Sequence, residues 1–94
     1  MIVEIQVLPT PAGTADDPHA HVEAAIAVIQ RSGLNHEVGP LGTSVEGAPD
    51  EIWPLLRAVH EAAVTAGAGS TISIINVAEG SSRSMADLTR KFRP

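Results

Sequence analysis

Two carboxylates, Glu37 and Glu46, stand on short runs in which every second side chain is polar, and Ser44 shares the second run with Glu46. The runs meet at a Pro40-Leu41-Gly42 corner, so a hairpin there would bring Glu37, Ser44 and Glu46 to one sheet face. Like charges gathered on one face repel, and a purely structural hairpin gains nothing from them. A pocket for a cationic or amidine-like ligand would, because carboxylates accept charge-assisted hydrogen bonds from such donors. Glu4 and Gln6 on the first strand-like run, and Asn76 on the last, offer further groups of the same kind.

The elements that must position these side chains follow from periodicity. Residues 1–8 alternate, with Val3, Ile5 and Val7 on one side and Glu4 and Gln6 on the other, which predicts a first strand. A Pro/Gly/Asp-rich loop over residues 9–17 leads to Asp17-Pro18, an N-cap followed by proline at the first helical position. The helix is expected to reach Ser32, carrying Val22, Ala25, Ile26 and Ile29 on one stripe, and to end at Gly33. Strands are expected over residues 34–41 and 43–46. Gly47-Ala48-Pro49-Asp50 then introduces a second helix with Ile52, Leu55, Leu56, Val59, Ala63 and Ala66 inward, tolerant of Pro54 near its start. It ends at Gly67-Ala68-Gly69. A fourth strand over residues 70–79, a polar turn over 80–84 and a short amphipathic helix with Met85, Leu88 and Phe92 complete the chain.

The order β-α-β-β-α-β with right-handed crossovers predicts an α+β, ferredoxin-like sandwich: a four-stranded antiparallel sheet with both long helices on one face, plus a short C-terminal helix. The 94 residues are read as one domain, 1–94. Sorting faces puts Val3, Ile5, Val7, Leu34, His36, Val38, Thr43, Val45, Ile75 and Val77 toward the helices. The open face then carries Glu4, Gln6, Asn35, Glu37, Ser44, Glu46, Ile72, Ile74 and Asn76. An isolated sheet face in water is one reading of this mixture; bare Ile72 and Ile74 favour the other, a second subunit covering that face and roofing its polar groups into a pocket.

Composition narrows the function. The chain carries a net charge of −5, with one Trp, one Phe and no Tyr. An acidic chain without strand aromatics is unsuited to nucleic acid or anionic lipid. With no cysteine there is no disulfide, thiolate nucleophile or Cys-type zinc site. No signal-like or membrane-spanning run is present, so the cytoplasm is the expected location. His19 and His21 point about 200° apart on a helix, a poor start for a metal site; capping or solvent exposure suits them better. His36, His60 and Trp53 read as packing or interface residues, and the Arg90-Lys91-Phe92-Arg93 tail as a helix C-terminus balanced by its dipole. The loop after the first strand has no Arg or Lys, which argues against an acylphosphatase-type enzyme.

Residues 33–47 (G-L-N-H-E-V-G-P-L-G-T-S-V-E-G), then Asp50-Glu51, His60-Glu61-Ala62 and Gly67-Ala68, resemble the thiamine-binding protein family of the MTH1187/YkoF-like superfamily. The resemblance runs along nearly the whole chain, and Pro-Leu-Gly-Thr-Ser-Val-Glu-Gly is its most specific part. It implies a ferredoxin-like homo-oligomer, dimer or tetramer, assembled through its sheets. It further implies binding of thiamine or its hydroxymethylpyrimidine moiety, with no catalysis and no cofactor. Glu37, Thr43 and Glu46 match the family pattern. Family members often carry a Lys in the fourth strand and an Asp-Asp-Arg run after it; here stand Asn76 and Ala78-Glu79-Gly80, with Arg83 a few residues on.

The expectation is therefore a non-enzymatic binder of thiamine or a related hydroxymethylpyrimidine, in a pocket on the sheet face at a subunit interface. Its site residues are Gln6, Glu37, Thr43, Ser44, Glu46 and Asn76, with no metal. The alternative is an oligomeric regulatory or assembly module with no small-molecule ligand.

Overall fold

Four strands and two long helices form two layers in the computed structural model, which describes residues 1–80 and 82–94. The strands are β1 (Ile2–Thr10), β2 (His36–Val38), β3 (Thr43–Glu46) and β4 (Ser70–Ala78). The helices are α1 (Ala20–Arg31), α2 (Pro49–Ala66) and a short α3 (Met85–Thr89), which runs into a 3-10 turn over Arg90–Phe92. Sheet order is β2-β3-β1-β4, every pair antiparallel. This is the expected α+β, ferredoxin-like arrangement, with α1 and α2 side by side on one face.

The face sorting follows directly from register. Val3 pairs with Val45 and Val77, and His36 with Val45, all on the helix side. Val3, Ile5 and Val45 meet Ala25 and Ile29 of α1 and Ile52, Leu55, Leu56 and Val59 of α2 in one buried cluster. Strand alternation thus meets two helical stripes. Each large aliphatic side chain buried there contributes about 1.5–3 kcal/mol.

Several boundaries differ from expectation, each for a local reason. β1 continues to Thr10, whose carbonyl accepts the Gly69 N–H at 2.9 Å. Pro9 is tolerated because β3 pairs with β1 only as far as Ile5, leaving one ladder beyond that point. Asp17 does not cap α1 with its side chain. Its carbonyl accepts the N–H groups of Thr14 and Ala20, its own N–H donates to Thr14 Oγ1, and the helix starts later, at Ala20. α2 begins at Pro49, with the Glu51 carboxylate accepting the Ala48 N–H at 3.1 Å. The polar turn expected over residues 80–84 includes Ser81, which lies outside the described residues.

His21 also departs from expectation: it is buried rather than capping or solvated. Its Nδ1 lies 2.7 Å from the Pro11 carbonyl. A Cβ on Gly67 would sit 3.1 Å from its Nε2, so the ring fills the gap between the β1–α1 loop and the end of α2. His19, two residues earlier, is exposed.

Candidate functional site

The strand register assembles a polar row across the open face. Glu37 of β2 lies opposite Ser44 of β3, Ser44 opposite Glu4 of β1, and Glu4 opposite Asn76 of β4. Gln6 lies one step along the same face, opposite Ile74, and Glu46 one step the other way, opposite Ile2. The structure therefore places Gln6, Glu37, Ser44, Glu46 and Asn76 on one surface. Thr43 is separated from them by the sheet itself: it points toward the helices and is buried.

The carboxylates of this row already have partners within the chain. Glu46 accepts hydrogen bonds from Asn35 Nδ2 at 2.6 Å and from the Met85 backbone N–H at 2.8 Å. The Met85 N–H first, and Asn35 second, hold its carboxyl below the ordinary glutamate range. Glu37 forms an ion pair with Arg93, and Asn76 reaches toward Glu4 at 3.4 Å.

The tail is thus not a free helix end balanced by its dipole. Ser84 Oγ accepts the Asp87 N–H while Asp87 accepts the Ser84 N–H, a capping box that starts α3. From there α3 and the 3-10 turn run from Met85, bonded to Glu46, to Arg93, paired with Glu37. The tail thus touches the β2–β3 half of the open face at these two points. The β1–β4 half stays open, with Leu8, Ile72 and Ile74 exposed.

A partly open cavity lies on the other side of the sheet. Its volume is about 230 Å³, and it sits between α1 and the sheet, beneath the Gly39-Pro40-Leu41-Gly42 corner. Its walls are Ile5 and Val7 of β1, Val22, Ala25, Ile26 and Ile29 of α1, Val59 of α2, and Thr43. Ala25, buried and short, lies on its floor, and Val22 and Ile26 beside it are half-buried. The corner that roofs it is tight: the Gly39 N–H donates to the Gly42 carbonyl at 2.9 Å, and a Cβ on Gly42 would stand 3.2 Å from the Ile5 carbonyl oxygen. Leu41 projects at the lip, 78% exposed. The most distinctive segment of the sequence therefore forms part of the rim of this cavity.

Sequence reasoning did not single out Val22, Ile26 and Leu41 as residues around a cavity, reading the first two as core. One signal was available: a leucine inside a Gly-Pro-x-Gly turn, where a solvent-facing residue is usually polar. Among the described residues, no cluster of His, Asp or Glu is placed to hold a metal ion. No helix among them is long and apolar enough to cross a membrane.

Residues 3–93 match the model of the thiamine-binding protein family. The chain belongs to that family. A UPF0045 protein of Clostridium perfringens is 31% identical over 77 residues, covering 80% of this chain and 77% of that one. A Bacillus cereus structure described as a domain of unknown function, DUF77, superposes with a TM-score of 0.80 at 29% identity, covering 98% and 90% of the two chains. A Thermotoga maritima structure, described as a candidate thiamine biosynthesis/salvage protein, has a TM-score of 0.77 at 22% identity and covers 99% and 100%. The last likeness establishes a shared fold, and the family's ferredoxin-like architecture is the one seen here.

Proposed function

We propose that this protein binds thiamine or a related hydroxymethylpyrimidine without chemistry on it, seating the flat pyrimidine in the cavity beneath the Gly39-Pro40-Leu41-Gly42 corner. The observation that carries the reading is the position of Gly39-Pro40-Leu41-Gly42-Thr43, part of the stretch on which the sequence resemblance rests, on the rim of an apolar cavity. Ligand sites are concave and mostly apolar, with a few polar groups that fix orientation. This cavity is below the roughly 300–1,000 Å³ of a drug-sized pocket, which suits one heterocycle rather than a whole vitamin. Thr43 brings a hydroxyl that can donate or accept, and the corner brings backbone groups, matching the amine and ring nitrogens of an aminopyrimidine. The thiazolium and its hydroxyethyl arm would stay near the lip, beside Leu41. Nothing in the wall can act as a nucleophile or general base toward a carbon centre except the unactivated Thr43 hydroxyl, which supports a carrier or sensor rather than an enzyme.

A second reading keeps the ligand on the open face, held by Gln6, Glu37, Ser44, Glu46 and Asn76. The uninterrupted Glu37-Ser44-Glu4-Asn76 row favours it, and a cationic ring would compete with Arg93 for Glu37. The pairing of Glu37 and Glu46 within the chain weighs against it.

Calorimetric titration with thiamine and with hydroxymethylpyrimidine separates the readings. Val22→Phe fills the cavity from a half-buried position and should abolish saturable binding, whereas Glu37→Gln should leave affinity within about threefold. Loss with Glu37→Gln and retention with Val22→Phe would transfer the site to the open face. Absence of saturable binding of either compound by the parent protein would leave the assembly module as the better account.

A further inference from the structure

β2 is the shortest strand of the sheet. It has three residues, and among the described residues its only sheet neighbour is β3. A single short ladder of this kind opens readily, because few hydrogen bonds and little burial hold it. Glu37 and Val38 are exposed, and the chain passes from Val38 straight into the Gly39-Pro40-Leu41-Gly42 corner on the cavity's rim. Whatever steadies β2 therefore steadies that rim.

The C-terminal tail grips β2 at two places. Just before the strand, the grip runs through Glu46. Its carboxylate accepts the Met85 N–H at 2.8 Å and Asn35 Nδ2 at 2.6 Å, and its own N–H donates to the Asn35 carbonyl at 3.0 Å. At the middle of the strand, Arg93 pairs with Glu37, two residues before Gly39. Charge rather than packing makes this grip, since Leu88 and Phe92 of the tail stand exposed. Residues 83–93 hold four of the chain's six Lys and Arg side chains, against one of its eleven Asp and Glu. A cationic tail thus lies on an acidic body.

We propose that Arg93 is a positioning residue for the cavity: its pairing with Glu37 latches β2 and so sets how often the Gly39-Pro40-Leu41-Gly42 corner lifts from the cavity's mouth. The inference rests on the cavity as the ligand site, yet the latch acts in the unliganded protein as well. Arg93 works from the opposite face of the sheet, through Glu37 and the β2 backbone. The corner follows β2 as a unit, because the Gly39 N–H is bonded to the Gly42 carbonyl at 2.9 Å. An exposed ion pair is worth little, so the latch alters the frequency of opening by a small factor and does not seal the cavity. Salt weakens it by screening the pair.

Amide hydrogen exchange in the unliganded protein tests the latch. At low salt, Arg93→Ala should speed exchange of the Gly39 amide about three- to fivefold. The Gly69 amide, bonded to the Thr10 carbonyl at the far end of β1, should not change. About 1 M salt should accelerate Gly39 in the parent protein by a similar factor, and in Arg93→Ala not at all. Glu37→Arg should also speed it, and adding Arg93→Glu to that variant should restore the parent rate. Arg57→Ala, which breaks another exposed ion pair on α2, should have no effect. Stopped-flow mixing with thiamine should show Arg93→Ala raising the association and dissociation rate constants together, by about threefold. Failure of thiamine to bind the parent protein strikes the cavity reading and leaves exchange alone to decide the latch. An unchanged Gly39 amide in Arg93→Ala, equal acceleration at Gly69, or a charge swap that does not restore the parent rate overturns the proposal. So does a rise in dissociation alone, which would mean that Arg93 stabilises the bound state.

Discussion

Glu46 shows how much of a site is decided by partners that sequence spacing does not reveal. Alternation alone placed it beside Ser44 and Glu37, and the register agrees. What alternation could not supply was Met85, 39 residues on, whose N–H occupies one carboxylate oxygen, or Arg93, which neutralises Glu37 from the far end of the chain. Such contacts leave no local periodic trace. The Glu46 carboxyl is held below its ordinary value of 4.5 in the folded protein. A depressed folded value means that the unfolded chain takes up protons first, so this contribution is complete above about pH 4.5 and fades as pH falls through the folded value. Glu46→Gln should cost about 1 kcal/mol at neutral pH, and its urea midpoint should fall less between pH 6 and pH 3 than that of the parent protein. Parallel pH profiles would show that Glu46 is not the group responsible. Arg93→Ala removes a solvent-exposed ion pair and should cost at most about 1 kcal/mol. It should still speed hydrogen exchange at Met85 and Leu88, because the tail loses its outer anchor.

At the scale of elements, helical and strand periods carried most of the fold. The stripe on α2 was legible because Ile52, Leu56, Val59 and Ala63 recur at helical spacing and all are buried. Ile52→Ala, at a fully buried position, should lower stability by about 2–5 kcal/mol in urea unfolding. The start of α1 was not legible, since Asp17 can cap a helix with its side chain or close a turn with its carbonyl, and the Thr14 contact decided for the turn. The same competition hid the role of His21. Gly67 ends α2 at φ +132, a conformation that side chains resist, directly against the His21 ring. Gly67→Ala should therefore cost about 1–3 kcal/mol, whereas Gly33→Ala, at φ +75 with open space around its Cα, should cost less. Equal losses at the two positions would show that the His21 contact is energetically irrelevant. The cavity was invisible from periodicity for a related reason: the α1 stripe predicts which residues face the sheet, not how far the helix stands off from it.

For the molecule as a whole, the sheet separates two surfaces of different character. The helix side holds a partly open, mostly apolar cavity rimmed by the Gly39-Pro40-Leu41-Gly42 corner. The open side is divided between a polar row tied down by the tail and an uncovered strip of Leu8, Ile72 and Ile74. Ligand and assembly therefore need not share a surface, as a roofed pocket on the sheet face would require. Methyl-labelled NMR during addition of thiamine tests this division most directly, because isoleucine and valine report on both sides of the sheet. The account predicts saturable shifts at Val22, Ile26 and Ile29, with Ile72 and Ile74 unmoved. Shifts concentrated at Ile72 and Ile74, with the cavity methyls silent, would contradict it.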